Sequence, residues 1–265
     1  MVKSAERVFE VLELFRRERK ELSGAQIGNA LHYPKSSTNV LMKSLVKLGY
    51  FVIDPATLRY FPSLSVTQLG DWIPSSVLAG VDARGVLASV HAATRETVTL
   101  SVQNDLHCRF IRVIPGTFPI SLRLTEGFVA PLFTTAVGTA IVSQLADDEV
   151  AELVKRANQR ADRGGERLEL ATVLRTATEV RHRGYALFYD SLFPDTGAIG
   201  VPFPAQTKSF PMAIGVGGLR HRIRRNASAI FRAVQTGLAH ATRESTSHAN
   251  QSAAIASWTH NRRLY

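Results

Sequence analysis

The chain has 265 residues, 45% hydrophobic and 20% charged, which fits two domains or one large one with a substantial buried core. Its 32 Lys and Arg against 22 Asp and Glu give a net charge of +10, pointing to a polyanionic partner such as nucleic acid or an anionic surface. A single cysteine, Cys108, excludes an intrachain disulfide and any zinc site with two thiolates; it is expected as a small buried apolar residue. No apolar run approaches the ~18 residues of a membrane-spanning helix, and the charged N-terminal segment does not resemble a signal peptide, so a cytoplasmic protein with no membrane partner is expected. The charge is uneven: residues 1–70 carry 10 basic and 6 acidic side chains, residues 71–212 carry 14 and 15, and residues 213–265 carry 8 and 1. A near-neutral body thus lies between basic ends.

In chain order, Ser4 is placed to cap a first helix whose Val8, Val11, Leu12 and Phe15 follow helical spacing, ending in the charged run Arg16 to Glu21. Ser23-Gly24-Ala25-Gln26 has the form of a capping box, which predicts a short helix with Ile27, Ala30 and Leu31 as its apolar face. His32-Tyr33-Pro34 interrupts it, and a third helix is predicted over 35–48, burying Leu41, Leu45 and Leu48 and stopping at Gly49. Tyr50 to Ile53, the turn Asp54-Pro55-Ala56-Thr57, and Leu58 to Phe61 read as a hairpin.

Three helices and a hairpin make a winged helix-turn-helix, whose third helix enters the DNA major groove with its N-terminal turn first. Residues there must be short, polar and outward-facing, as Lys35-Ser36-Ser37-Thr38-Asn39 is. Asn39 suits an adenine edge, Ser36, Ser37 and Thr38 suit bases or phosphates, and Lys35, Lys43 and Arg59 of the wing suit phosphates. The same pattern also fits a three-helix protein-interaction module in which the Ser/Thr run caps the third helix.

These residues resemble the IclR family of bacterial transcriptional regulators. In the head the resemblance rests on the capped helix at Ser23, the Pro34-Lys35-Ser36-Ser37-Thr38 entry to helix three, Leu45-x-x-Leu48-Gly49-Tyr50, and the wing ending at Tyr60. It continues through Gly127-x-x-x-Pro131-Leu132-x-x-Thr135-Ala136-x-Gly138-x-Ala140, Arg183-Gly184-Tyr185-Ala186, Ile199-Gly200-Val201-Pro202 and Ala213-Ile214-Gly215-Val216. One departure is Val40, where many members carry arginine, which shifts base reading towards Asn39 and the Ser/Thr run.

Further along, Ser63 to Trp72 and Ser75 to Thr94 read as helical, with a break expected near Pro74. Val66, Leu69, Trp72 and Ile73 offer an apolar seam, and the resemblance implies that this linker contributes to a dimer or dimer of dimers. Strands are predicted over 97–103, 108–114, 120–124, 198–203 and 211–216, with helices over 134–157 and 169–183 between them. This makes an α+β domain; the resemblance implies a GAF-like, mainly antiparallel sheet flanked by helices. The expected boundaries are 1–62 for the winged helix-turn-helix, 63–79 for the helical linker, 80–245 for the effector domain and 246–265 for a disordered or docked tail.

The resemblance further implies a small-molecule pocket lined by Leu122, Phe128, Thr135, Ala136, Val137, Phe188, Asp190, Ala198, Gly215 and Gly217. A carboxylate fits the helix start at Thr135 to Val137, where free N–H groups and the helix dipole favour negative charge. Organic-acid-binding members place cysteine at Ala198 and serines at Gly215 and Gly217. Their absence here suits a larger, partly aromatic acid, or else glycines that merely permit close packing.

Near the end, Arg220 to Arg225 precede a predicted amphipathic helix carrying Ile223, Ala227, Ile230, Val234 and Leu238. This basic cluster fits a solvated helix start, an intersubunit ion-pair site or a DNA contact. No nucleophile elbow, metalloprotease motif, phosphate loop or complete dinucleotide fingerprint occurs, and no cofactor or metal is expected. The reading is a DNA-binding transcriptional regulator controlled by a small-molecule effector and acting on double-stranded operator DNA. Its rivals are a protein-interaction module or an enzyme fused to a helix-turn-helix that uses Asp190 with His182.

Overall fold

The structure is a computed structural model describing residues 3–71, 81–161, 167–204 and 210–261, with side chains of the last helix described through Ala241. The chain falls into two compact units, 1–74 and 75–265.

In the first unit, α1 (Lys3–Glu18) buries Val11, Leu14 and Phe15. Ser4, expected as its cap, lies inside its first turn. The expected capping box is present at α2 (Gly24–Leu31): the Gln26 N–H donates to Ser23 Oγ at 3.3 Å, and the Ser23 N–H donates to Gln26 Oε1 at 2.9 Å. The helix ends at His32, which adopts the left-handed conformation with φ 56°. α3 (Lys35–Lys47) follows, and Gly49 at φ 82° lets the chain turn out of it. Leu48, expected inside, is 67% exposed, because Met42 and Leu45 already fill the inward face. Ala30 of α2 is likewise exposed.

The wing strands β2 (Phe51–Ile53) and β3 (Arg59–Pro62) pair antiparallel. Their turn is held by Asp54, whose carboxylate accepts the Ala56 N–H at 2.9 Å and the Thr57 hydroxyl at 2.7 Å. A third strand not foreseen from sequence, β1 (Leu22–Ser23), pairs with β3 on its other side. Two residues carry no alternation to read; pairing of Leu22 with Tyr60 brings both into a core shared with Phe15, Ile27, Met42 and Phe51.

The expected helix over 63–72 is reduced to the single turn α4 (Ser65–Gln68), and the break at Pro74 with the seam residues Trp72 and Ile73 lies outside the described residues. The second unit opens with α5 (Ala83–Thr94), capped by Asp82. Its sheet contains β4 (Thr97–Asn104), β5 (His107–Ile114), β6 (Val129–Pro131), β7 (Ala186–Tyr189), β8 (Thr196–Phe203) and β9 (Met212–Leu219). All six pair antiparallel in the order β6-β5-β4-β9-β8-β7.

Strand alternation assigns the two faces. Met212, Ile214 and Val216 of β9, with Ile199, Val201 and Phe203 of β8, join one core with α5 and α9 (Arg220–Asn261). The opposite face meets α6 (Ala136–Val142), α7 (Asp147–Ala161) and α8 (Leu170–Arg183) in a second core. Cys108 is buried there, its thiol donating to the Ala130 carbonyl at 3.4 Å and pushed up to about 11 by burial.

Three predicted elements are corrected. Residues 120–124 are no strand: the Ile120 and Leu122 carbonyls are satisfied by Arg222 Nη2 at 2.9 Å and the Thr97 hydroxyl at 2.8 Å, and β6 takes the place beside β5. The helix over 134–157 is two helices. The break lies where Gln144 reaches the Ala140 and Met212 carbonyls, and Glu149 accepts the Ala146 N–H to start α7. Arg220 to Arg225 form the first turns of α9 rather than preceding it; that helix runs to Asn261, so most of the segment expected as a tail is helical, and residues 262–265 lie outside the described residues.

The basic cluster is partly neutralised within the chain. Arg220 pairs with Asp190 and, at 3.6 Å, with Asp195. Arg222 grips buried Glu96 with two bonds of 2.6 and 2.9 Å and stacks on Phe118, with its guanidinium carbon 4.3 Å from the ring centre. Arg222→Met leaves the Glu96 carboxylate buried without its cation and is expected to destabilise the folded state by about 3 to 5 kcal/mol in urea unfolding. The double variant with Glu96→Gln should recover part of that loss. At Gly138 an added Cβ would overlap the Leu132 carbonyl. Gly138→Ala should therefore destabilise by about 3 kcal/mol, although helix propensity alone predicts a gain of about 1 kcal/mol.

Candidate functional site

α3 has a strict division of faces. Thr38, Met42 and Leu45 point into the head, whereas Lys35, Ser36, Asn39, Val40, Lys43, Ser44 and Lys47 are exposed. Thr38 corrects the expectation of an outward base or phosphate contact. It is 1% exposed, its hydroxyl donates to the Pro34 carbonyl at 3.1 Å, and a Cβ at Gly28 would come within 3.2 Å of it. Thr38 therefore belongs to the close crossing of α2 and α3.

Ser37 is half-buried and also donates to Pro34, at 2.9 Å. Neither hydroxyl caps the helix, and no side chain does, which overturns the alternative role for the Ser/Thr run. Asn39 lies on the flank nearest α2, its Oδ1 3.1 Å from where a Cβ of Gly24 would stand. Arg59 is exposed, but its guanidinium reaches the Glu21 carbonyl at 3.2 Å and Gln26 Oε1 at 3.5 Å, tying the wing to the start of α2. The sequence pattern marks Val40 only as a departure that moves base reading to Asn39, and Ser44 and Lys47 are not among the expected contacts. The signal for them was the helical repeat counted from the buried Met42 and Leu45.

In the second unit, the residues expected to line a pocket are brought largely together, but tightly. Thr135 caps α6, accepting the Gly138 N–H at 3.2 Å and donating to the Pro131 carbonyl at 2.7 Å. Ala136 and Val137 are buried, and a Cβ at Gly200 would overlap the Ala136 carbonyl, so α6 lies directly on β8. At Gly215 a Cβ would meet Thr99 and Val137, and at Gly217 it would stand 2.9 Å from Leu122 Cδ1. The space beside both glycines is thus occupied by protein. Phe128, Phe188 and Ala198 pack on the same core, with the Phe128 ring 5.4 Å from Phe110.

Asp190 behaves differently. It is exposed, in the left-handed conformation at φ 55°, and ion-paired to Arg220, so the carboxylate that an enzyme reading would pair with His182 is held by arginine instead. Of the open recesses among the described residues, two touch residues expected in the pocket. One, of about 480 Å³, is lined by Gly116, Phe118 to Arg123 and Phe193, with Leu122 in its wall. The other, of about 370 Å³, lies between α6 and α8 and includes Phe188. Among the described residues there is no cluster of three potential metal ligands, and no helix is long and apolar enough to cross a membrane.

Comparison with known proteins accords with this architecture. The family model described as the IclR helix-turn-helix domain matches residues 4–55, and that described as bacterial transcriptional regulator IclR C-terminal matches residues 80–244. The transcriptional regulator XynR of Escherichia coli K12 is 22% identical over 90% of this chain and 96% of its own. KdgR of the same organism is 23% identical over 69% of this chain and 70% of its own. Among solved structures, that of Thermotoga maritima IclR superposes with a TM-score of 0.61 at 18% identity, covering 92% of this chain and 99% of that one. An IclR-type regulator from Alicyclobacillus acidocaldarius gives 0.56 at 20% identity, covering 90% and 98%. With one family model covering the helix-turn-helix and another the α+β domain, the chain belongs to the IclR family of transcriptional regulators, which pair a DNA-binding head with a C-terminal effector-binding domain and are not enzymes.

Proposed function

We propose that this regulator binds a pseudo-palindromic operator as a homodimer or dimer of dimers, with α3 of each head in a major groove, and that an organic or aromatic acid in its C-terminal domain controls that binding. The single observation that carries the DNA part is the exposed, polar and basic outer face of α3 opposite a fully packed inner one. Lys35 and Lys43 on it meet phosphates, Ser36 and Asn39 meet base edges, and the uncapped N–H groups of the first turn suit a phosphate oxygen. Arg59 serves the wing's attachment first and the backbone of DNA second.

For the effector, the favoured place is beside Gly217, where the ligand replaces the Leu122 side chain and approaches the start of α6. Phe128 and Phe188 line its apolar part. The ligand alters operator affinity only by the difference in its own affinity for two arrangements of the protein.

Operator binding is tested by enriching random duplex DNA on the full-length protein and measuring affinity across salt concentrations. Lys43→Ala should weaken binding to all sequences alike and reduce the slope of log affinity against log salt by about 1; an unchanged slope removes Lys43 from the interface. A panel of aromatic and aliphatic acids, screened by thermal melting, tests the second site. An acid seated beside Gly217 must displace Leu122, so Leu122→Ala should bind it more tightly than the wild type, and equal affinity would place the ligand elsewhere.

A further inference from the structure

Val40 is 67% exposed in the middle of α3. An α-helix turns about 100° per residue, so the buried Thr38, Met42 and Leu45 define one direction, and Ser36, Val40, Lys43 and Lys47 cluster around the opposite one. Val40 is therefore near the crest of the outer face, one turn beyond Ser36, whereas Asn39 is turned towards α2 and Gly24. The neighbours of Val40 on that face are hydroxyls and ammonium groups: Ser36, Ser44, Lys43 and Lys47. A β-branched residue there gains nothing from burial and is a weak helix former. Beyond its own turn of helix it is offered to whatever meets the crest.

Resting on the proposed operator binding, we infer that Val40 is a specificity-determining residue that packs on the 5-methyl group of a thymine in each half-site. In the major groove, thymine alone among the four bases presents a methyl group, and an apolar side chain cannot satisfy the donors and acceptors of the other base edges. Lys43 and Lys47 on the same face hold the flanking phosphates, and Ser36 contacts the neighbouring step. The base preference at this position is thus apolar in origin and distinct from any hydrogen-bonded reading by Asn39.

The test uses full-length wild type and Val40→Ser, each enriching random duplex DNA. For the wild-type consensus, the selected thymine is then replaced by uracil, which removes only the methyl group. Wild type should select a thymine at one half-site position and lose about fourfold in affinity on uracil substitution, the factor equivalent to about 0.8 kcal/mol for one buried carbon. Val40→Ser should fold with an unchanged melting temperature, lose that preference and bind thymine and uracil duplexes equally. A wild type indifferent to uracil at every thymine, or a Val40→Ser protein with the same consensus and the same uracil penalty, overturns the inference. If the wild type enriches no sequence at all, operator binding itself fails, and the reading of Val40 falls with it.

Discussion

Direct contact between the backbone of α6 and the sheet governs the organisation of the C-terminal domain. Gly200 on β8 lets the Ala136 carbonyl lie against the strand, and Gly138 on α6 lets the helix meet the Leu132 carbonyl. At Gly200 a single methyl group would force helix and sheet apart, at Gly138 it would push α6 off the turn that leads into it, and interiors packed at crystal-like density do not absorb such a shift. From this close approach follow the burial of every residue from Ala136 to Val142 and the seating of Val137 over Gly215.

The same contact gives the candidate ligand site its character. Bare glycines on a strand suggest room, yet here helix and loop side chains fill that room, Val137 beside Gly215 and Leu122 beside Gly217. That leucine lies in a segment without strand pairing, held by Thr97 and by Arg222, the latter also gripping Glu96. Movement of Leu122 is thereby linked to side chains at the beginning of β4 and of α9. The Glu96 carboxylate follows directly after α5 and its C-cap Arg95, so the loop, the first helix of the domain and the last helix share one charged junction.

Much of the architecture was legible from residue pattern. The capping box at Ser23, the interruption at His32 to Pro34, the stop at Gly49 and the Asp54 turn act through local backbone chemistry, and each appears where the pattern predicts it. Other features were not legible because their partners are distant in sequence. The two-residue strand β1 exists only through pairing with β3, and Ile120 to Leu124 look like a strand but have the Leu122 and Ile120 carbonyls taken by Thr97 and Arg222. Thr38 reads as a polar recognition residue and becomes a buried one because Gly28 of the preceding helix approaches it. Asp190 reads as a pocket residue and is instead held by Arg220.

The excess of positive charge follows the same rule. Sequence alone determined that the charge is divided between the two ends, that a winged helix-turn-helix occupies the first, and that an α+β body lies between, since composition, caps and periodicity are local properties. Only the tertiary structure decided which charges are available. Arg220 and Arg222 are engaged by Asp190 and Glu96, Arg59 by the start of α2, while Lys35, Lys43 and Lys47 stand out from a helix whose opposite face is buried. The physical reason is that a side chain's role depends on which face its element buries and which distant group it meets, and chain packing sets both.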